Sequence, residues 1–440
     1  VTLRPPRAPI PLAIAILLIA VVHVCLRAQA AVPLEKGLET FDAAWKIIRD
    51  SHFDPGMNGV DWQAVRTELG PRAARARTET ELRDVIKEML GRLGLSHFAL
   101  IPSSSGDPAS PAVDLSGDPG FDVRLVGSEL VVISVDPQGG AAAAGVRAGW
   151  RLLSLDAMPV AELLSRLPET MPDRLRHVEA WRLVETRARG PRGSRASLMF
   201  DNGGQDIGVA VERRAEPGQP ATVGNLPTMH VRFDAEERRT PKGATAGVIR
   251  FNVWMPAVDG LFQKAIDRFR RHDAIVIDLR GNPGGLAAMI MGISGHFLTE
   301  RQALGVMKTR DAVLRFAANP RLVSAAGERV QPFGGPLAIL VDDMTGSASE
   351  CFAGGMQSLG RARVFGQTSM GQALPAFFAK LPNGDVLIHA TGDFVTANGT
   401  RLEGRGVVPD EPVALSRKEL LDGRDPTLAA AFAWVDRQGR

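Results

Sequence analysis

Apolar positions along this chain keep different rhythms, and each rhythm predicts a different kind of element. Between residues 34 and 100, Phe41, Trp45 and Ile48, then Leu82, Ile86, Met89 and Leu93, recur three or four apart, the spacing of one face of a helix. Asp54-Pro55-Gly56 interrupts this helical segment, and Gly94-Leu95-Ser96-His97-Phe98 closes it. Residues 103–119, rich in Ser, Pro, Gly and Asp, read as a linker. A compact block follows, with a strand over 130–135, a short Ala-rich helix near Ala141 and a turn–strand–turn over 145–156. A second polar stretch, 216–244, carries one strand over 229–233. From Gly247 short apolar runs alternate with helical spacing. Strands are predicted over 248–253, 274–279 and 337–341, and helices over 258–271, 286–298 and 351–359. A hairpin is predicted over 377–388 around Pro382-Asn383-Gly384-Asp385. This alternation marks an α/β domain.

At 440 residues the chain is too long for one ordinary domain. Its formal net charge is only +3 and the charges are interspersed, which gives no footing for nucleic acid. The N-terminus has an export pattern: Arg4 and Arg7, an apolar run over 12–22, then Ala28-Gln29-Ala30. The expectation is a signal peptide over 1–30 and a periplasmic protein, with membrane contact only if that segment stays uncleaved. Cleavage would remove Cys25 and leave Cys351 alone, in an apolar helical stretch where a core role is expected.

Two strand–turn–helix junctions carry candidate chemistry. The run 337–341 leads to Gly346-Ser347-Ala348-Ser349-Glu350 and then to a helix. That order puts a serine at a helix N-terminus, where unpaired backbone N–H groups can stabilise an oxyanion. The run 274–279 ends in Arg280-Gly281-Asn282-Pro283-Gly284-Gly285, and glycine lets backbone approach a substrate closely. Alone, each reads as a plain turn, with Ser347 a capping residue. Gly281 to Gly285 lacks the Lys and Ser/Thr of a phosphate loop, and no H-E-x-x-H is present, so neither a cofactor nor a metal is expected.

The block beginning Gly120-Phe121-Asp122-Val123 and continuing through "GVRAGWRLLSLDAMPV" resembles a PDZ domain of secreted bacterial proteases. The resemblance implies that Gly120, Phe121, Asp122 and Val123 form a loop that holds a peptide C-terminus while the peptide adds as a strand. Together, "VIDLRGNPGG", "GSASE" and "LEGRGVVPD" resemble the C-terminal processing (tail-specific) serine peptidases and the related tricorn core. This implies a multi-domain α/β protein with a crotonase-like peptidase core. Its expected parts are a helical segment over 31–110 that joins the core, a β-rich PDZ domain over 111–215 and the α/β core over 216–440. It implies Ser347 as nucleophile, with Ser349 its competitor. The oxyanion donors would be the N–H groups of Ala348 and Gly285, with Gly284 the alternative. The substrates would be polypeptides, unstructured or presented as C-terminal tails.

One position departs from the processing peptidases. They use a lysine base in "T/S-F-G-K-G", where this chain has Ser369-Met370-Gly371-Gln372-Ala373. An amide has no usable pKa near neutrality, which leaves Gln372 as a possible substrate contact. In the tricorn-like branch the resemblance assigns the base to His97, the acid to Glu403 and a linking role to Ser96, with an acid limb of activity near about 6.5. Asp342, Asp343 and Asp393 are rival acids, and the bland reading of Glu403 is a loop carboxylate paired with Arg401 or Arg405. Arg174, Arg176, Arg182 and Arg187 read as a solvated helix face. The alternative to an enzyme is a catalytically silent PDZ-containing peptide- or ligand-binding relative, like the interphotoreceptor retinoid-binding proteins.

Overall fold

A computed structural model describes residues 34–103, 114–223 and 228–438. The leader predicted over 1–30 and most of the linker lie outside these residues. The helical segment forms α1 (Gly37–Ser51), α2 (Trp62–Arg75) and α3 (Glu79–Gly91). Asp61 and Thr78 cap α2 and α3 by accepting the N–H groups of Ala64 and Glu81. The seven apolar residues picked out by spacing share one core, which Leu381 and Leu387 complete. The segment then ends in a strand rather than a loop. β1 (Ala99–Ile101) pairs with Ile388, Leu387 and Val386, which pins residues 96–98 against the rest of the molecule.

The next block is an antiparallel sheet with its own core, including Val123, Leu130, Val132, Leu152 and Phe200. Its strands are β2 (Phe121–Val126), β3 (Glu129–Val135), β4 (Arg151–Leu155), β5 (Arg195–Asp201) and β6 (Asp206–Glu212), in that spatial order. The Ala-rich helix is a single turn, Gly140–Ala143. A longer helix, α4 (Asp173–Ala188), packs beside the edge strand β2, and the Trp181 indole N–H donates to Asp122 at 2.9 Å.

The α/β part comprises β7 (Phe233–Arg239), β8 (Thr245–Phe251), α5 (Pro256–Phe269), β9 (Ala274–Asp278), α6 (Ala288–Ser294), β10 (Gln302–Thr309) and β11 (Val313–Ala318). It continues with β12 (Leu337–Val341), α7 (Ala348–Ser358), β13 (Arg363–Gly366), β14 (Ala376–Lys380), β15 (Val386–Ala390) and β16 (Gly392–Thr396). β17 (Glu411–Pro412), α8 (Arg417–Leu421) and α9 (Pro426–Arg437) close the chain. The main sheet runs β7-β8-β9-β12-β13-β17, parallel except at the β7 edge. Every residue of β9 and β12 is buried. Helices α5 and α7 cover one face, and α9 covers the other. This double cover is why both strands read as unbroken apolar runs.

The structure redraws three expectations. The helix over 286–298 shortens to α6, because Gly284 and Leu286 instead bond Trp254 as extended chain, each at 2.9 Å. The strand over 229–233 divides into Met229–Val231, paired with Gln219–Ala221, and β7. Helix α7 starts at Ala348, three residues earlier than its apolar pattern indicates.

The β2–β6 sheet does not stand apart from the core. Arg124 leaves β2 and is buried among Asp122 (2.9 Å), Asp342 (3.1 Å) and Asp343 (3.6 Å). His177 of α4 bonds Asp343, and Arg174 donates to the carbonyl oxygens of Gly404 and Arg405. Arg174 is therefore part of an interface and not of a solvated face. On another side, Arg417 of α8 donates to the Gly149 and Asp201 carbonyls, both at 3.0 Å.

Candidate active site

The C-terminal ends of β9 and β12 lie side by side, since Asp278 pairs with Leu340. Their following turns meet there, the usual place for a site on an open α/β sheet. Asn282 ties the two turns together. Its side chain donates to the Phe251 carbonyl (2.8 Å) and accepts the Gly284 N–H (3.0 Å), while its own carbonyl accepts the Gly346 N–H (3.0 Å). Below this turn Arg280 bridges Asp278 (2.8 Å) and Asp425 (2.7 Å). Burial would raise the Asp278 pKa, but the Arg280 and Arg250 charges outweigh it and hold it at about 2.

Ser347 is half-exposed at the N-cap of α7, with φ +52 and ψ −117. A non-glycine residue in that region stores about 1–3 kcal/mol of strain. Its N–H is held by the Gln372 carbonyl (2.9 Å) and Glu350 (3.0 Å). Its hydroxyl lies 3.2 Å from His97 Nε2. The rival Ser349 is fully buried and accepts the Trp254 indole N–H at 2.8 Å, so only Ser347 faces a base.

His97 also has a positive φ, +59. Its Nδ1 lies 2.8 Å from Ser96 Oγ, and Ser96 donates its hydroxyl to Glu403 Oε2 at 2.8 Å. A carboxylate only accepts, so the Ser96 proton points to Glu403 and the Ser96 oxygen accepts Nδ1–H. That tautomer leaves Nε2 with a free lone pair toward Ser347. Glu403 is buried and also accepts the N–H groups of Ser96 and Ala373, both at 2.9 Å. The rival acids are engaged elsewhere, Asp342 and Asp343 with Arg124 and Asp393 with Arg401 (2.7 Å). Glu403 pairs with neither Arg401 nor Arg405 among the described residues.

Burial lowers the His97 pKa from 6.5 to about 4, although part of the residue stays accessible. The imidazole is thus neutral across the physiological range, and the sequence expectation of a limb near 6.5 moves downward.

Between the two candidate glycine donors the structure discriminates. The Gly284 N–H is taken by Asn282. Neither the Gly285 nor the Ala348 N–H has a bonding partner among the described residues. Gly284 serves by having no side chain. A Cβ there would fall 2.6 Å from Ser347 Cβ and 2.9 Å from both Ala348 N and Gly346 O, at φ +107. Gly284→Ala is expected to displace the serine turn and lower kcat about a hundredfold. Steady-state kinetics checks this, and a change under threefold would mean the turn yields freely.

Glu350 is a site residue that the sequence reading passed over. It is fully buried and accepts four donors: the Ser369 hydroxyl and the N–H groups of Gly371 (2.6 Å), Ser347 (3.0 Å) and Gln372 (3.0 Å). One carboxyl thus joins the serine turn to the 369–372 loop. A polar residue three positions into a helix that starts with serine is the signal that could have found it. Gln372 contributes its backbone here, and its side-chain amide has no partner among the described residues.

The Gly120–Val123 run opens β2. Two of its backbone donors are already used, Gly120 N–H by Asp118 (2.6 Å) and Val123 N–H by Asp122 (2.9 Å). Cys351 is free and buried in α7, its thiol pKa pushed up by burial. Among the described residues no cluster of His, Cys, Asp or Glu could hold a metal ion, and no helix is long and apolar enough to cross a membrane.

Residues 245–413, which span both turns and Gln372, match the model of peptidase family S41. The chain carries a peptidase family S41 domain. Residues 33–91 match the tricorn protease C1 domain, so S41 and tricorn features occur on one chain. A carboxyl-terminal-processing protease from Picosynechococcus sp. is 24% identical over 398 residues, covering 87% of this chain and 86% of that protein. Among solved structures, a photosystem II D1 C-terminal processing protease aligns with TM-score 0.56 and 20% identity, over 90% of this chain and 99% of that one. Mature CPAF aligns with TM-score 0.59 and 13% identity, over 92% and 96%. These two structural likenesses establish the fold.

Proposed function

We propose that this S41 domain hydrolyses peptide bonds through an acyl-enzyme on Ser347, with His97 rather than a lysine as the base. The observation that carries this is the unbroken hydrogen-bonded series Glu403–Ser96–His97–Ser347. In the forward step Ser347 Oγ attacks the scissile carbonyl and passes its proton to His97 Nε2. Nδ1–H stays on Ser96, and Glu403 stabilises the cationic ring through that hydroxyl. The oxyanion is met by the Gly285 and Ala348 N–H groups, each worth on the order of 3 kcal/mol. His97 then protonates the leaving amine. It next takes a proton from the water that attacks the acyl carbon, and returns it to Ser347 Oγ as the acyl–oxygen bond breaks and the acid product leaves.

The substrates proposed are unstructured chains or C-terminal tails, in keeping with the processing-protease relatives. The β2–β6 sheet with α4 is proposed as a PDZ domain. With Gly120 and Val123 donating to Asp118 and Asp122, and with Phe121 and Asp122 paired against β3, a peptide carboxylate would be received there on displacing the Asp118 or Asp122 side chain. The export pattern of residues 1–30 supports a periplasmic location. The Gln372 amide, free beside the nucleophile's backbone, suits a substrate contact.

The test is intact-mass detection of fluorophosphonate labelling across pH, beside Ser347→Ala and His97→Ala. A neutral imidazole is the active form, so the labelling rate falls as pH drops through the His97 pKa. With that pKa lowered toward about 4, no His97 limb is expected near 6.5. Labelling lost in both variants supports the reading. An unlabelled wild type would favour the silent binding relative.

A further inference from the structure

The small sheet β1-β15-β14 opens directly from the candidate site. β1 begins two residues after His97. β14 begins four residues after Gln372, whose carbonyl accepts the Ser347 N–H. Both pair antiparallel with β15, so β1 and β14 are parallel to each other and both run away from Ser347. The register places Ala99, Ile388 and Phe378 on one line across the sheet. Ala376 and Phe377 therefore lie at the end of β14 nearest the site.

β14 is the outer strand, and its far side pairs with no other strand among the described residues. Phe377 is 64% exposed and Phe378 is 39% exposed. Successive side chains of a strand point to opposite faces, so both faces present an aromatic ring beside an open backbone edge. The sequence Ala376-Phe377-Phe378-Ala379-Lys380 has a single charge, at its far end. Such an edge invites another strand.

We infer that the free edge of β14 is an exosite for the polypeptide substrate. A segment some residues away from the scissile bond adds there as an extra strand and sets apolar side chains against Phe377 and Phe378. The occupant is a substrate chain because the edge is continuous, through Ala373 and Gln372, with the backbone that holds Ser347. The inference rests on the peptidase reading above. The four-residue step from Gln372 to Ala376 spans about 13 Å of extended chain. Short substrates therefore miss the edge, while unstructured ones reach it with about four or five residues on that side.

The test is fluorescence-anisotropy titration of the Ser347→Ala protein with a labelled, apolar, extended decapeptide and with a series N-methylated at each backbone position. Binding to the Ser347→Ala protein needs no turnover, so its outcome is independent of the labelling experiment. Expected are at least tenfold weaker binding in Ser347→Ala/Phe377→Asp and an alternating pattern of weakening along the N-methyl series, the signature of strand pairing. Unchanged affinity in the Phe377→Asp background overturns the inference, as does N-methylation that weakens binding equally everywhere. A wild-type dimer in sedimentation velocity that Phe377→Asp dissociates also overturns it, because a second copy then covers the edge.

Discussion

Glu403→Gln is expected to lower kcat about a thousandfold to ten-thousandfold with little change in KM. The upper end is the loss seen when the orienting acid of a Ser-His-Asp site becomes an amide, and the lower end allows for the Ser96 hydroxyl that stands between acid and imidazole here. The carboxylate now accepts three donors, Ser96 N–H, Ser96 Oγ–H and Ala373 N–H. A glutamine amide presents one oxygen and one NH2, so in either orientation it turns hydrogens toward at least one of those donors. With the NH2 at the Oε2 position, Ser96 must rotate and donate to His97 Nδ1. That moves the imidazole proton to Nε2 and removes the base that faces Ser347. With the NH2 at Oε1, the relay survives without its charge, and the Ser96 N–H is left unsatisfied at about 1–3 kcal/mol. Among the described residues Glu403 bonds Ser96 and Ala373 and none of the groups proposed to touch the scissile bond, so the loss should fall mainly on kcat. Steady-state kinetics on one peptide decides the matter. A loss under tenfold would reduce Glu403 to a structural acid.

The second large effect is expected at Glu350. Glu350→Ala orphans three donors in a fully buried place, the Ser369 hydroxyl and the Gly371 and Gln372 N–H groups, while the Ser347 N–H keeps the Gln372 carbonyl. It should cost several kcal/mol, at about 1–3 for each orphaned donor, and should lower kcat at least a hundredfold as the serine turn loosens. Glu350→Gln separates charge from shape. Burial is the largest influence on this carboxyl and raises its pKa to about 7, against the pull of its four donors. In the unfolded chain the value is about 4.3. The folded pKa is the higher one, so this stabilisation is fully present below about 4.3 and is lost as pH rises through about 7. The loss is on the order of 3 kcal/mol. The glutamine variant lacks it. Urea unfolding at pH 5 and pH 8 should therefore show the gap between wild type and Glu350→Gln closing or reversing at the higher pH. The same pH dependence in both proteins would refute the assignment.

Elements whose evidence is local were legible in the amino-acid sequence. The buried strands β9 and β12 were legible because both faces are covered, which forces unbroken apolar runs. The helices before Gly94 were legible because one core selects one face. Ser347, His97, Ser96, Glu403, Gly285 and Ala348 were readable as candidates because their motifs are contiguous. Elements outside that reading included the β11-β10-β16 sheet, whose strands are brought together from far along the chain.

Tertiary structure alone decided the rest. It brings Ser96 to Glu403 across 307 positions and His97 to Ser347 across 250, and no local pattern encodes such a meeting. It separates Gly285 from Gly284 by spending one N–H on Asn282. It turns Glu350 from a helix residue into the acceptor that joins two loops. It lowers the His97 pKa because a ring among packed residues holds its charge less well than one in water. Spacing along a chain reports which face a residue occupies, whereas the partners of a polar group depend on which distant segments the core draws together.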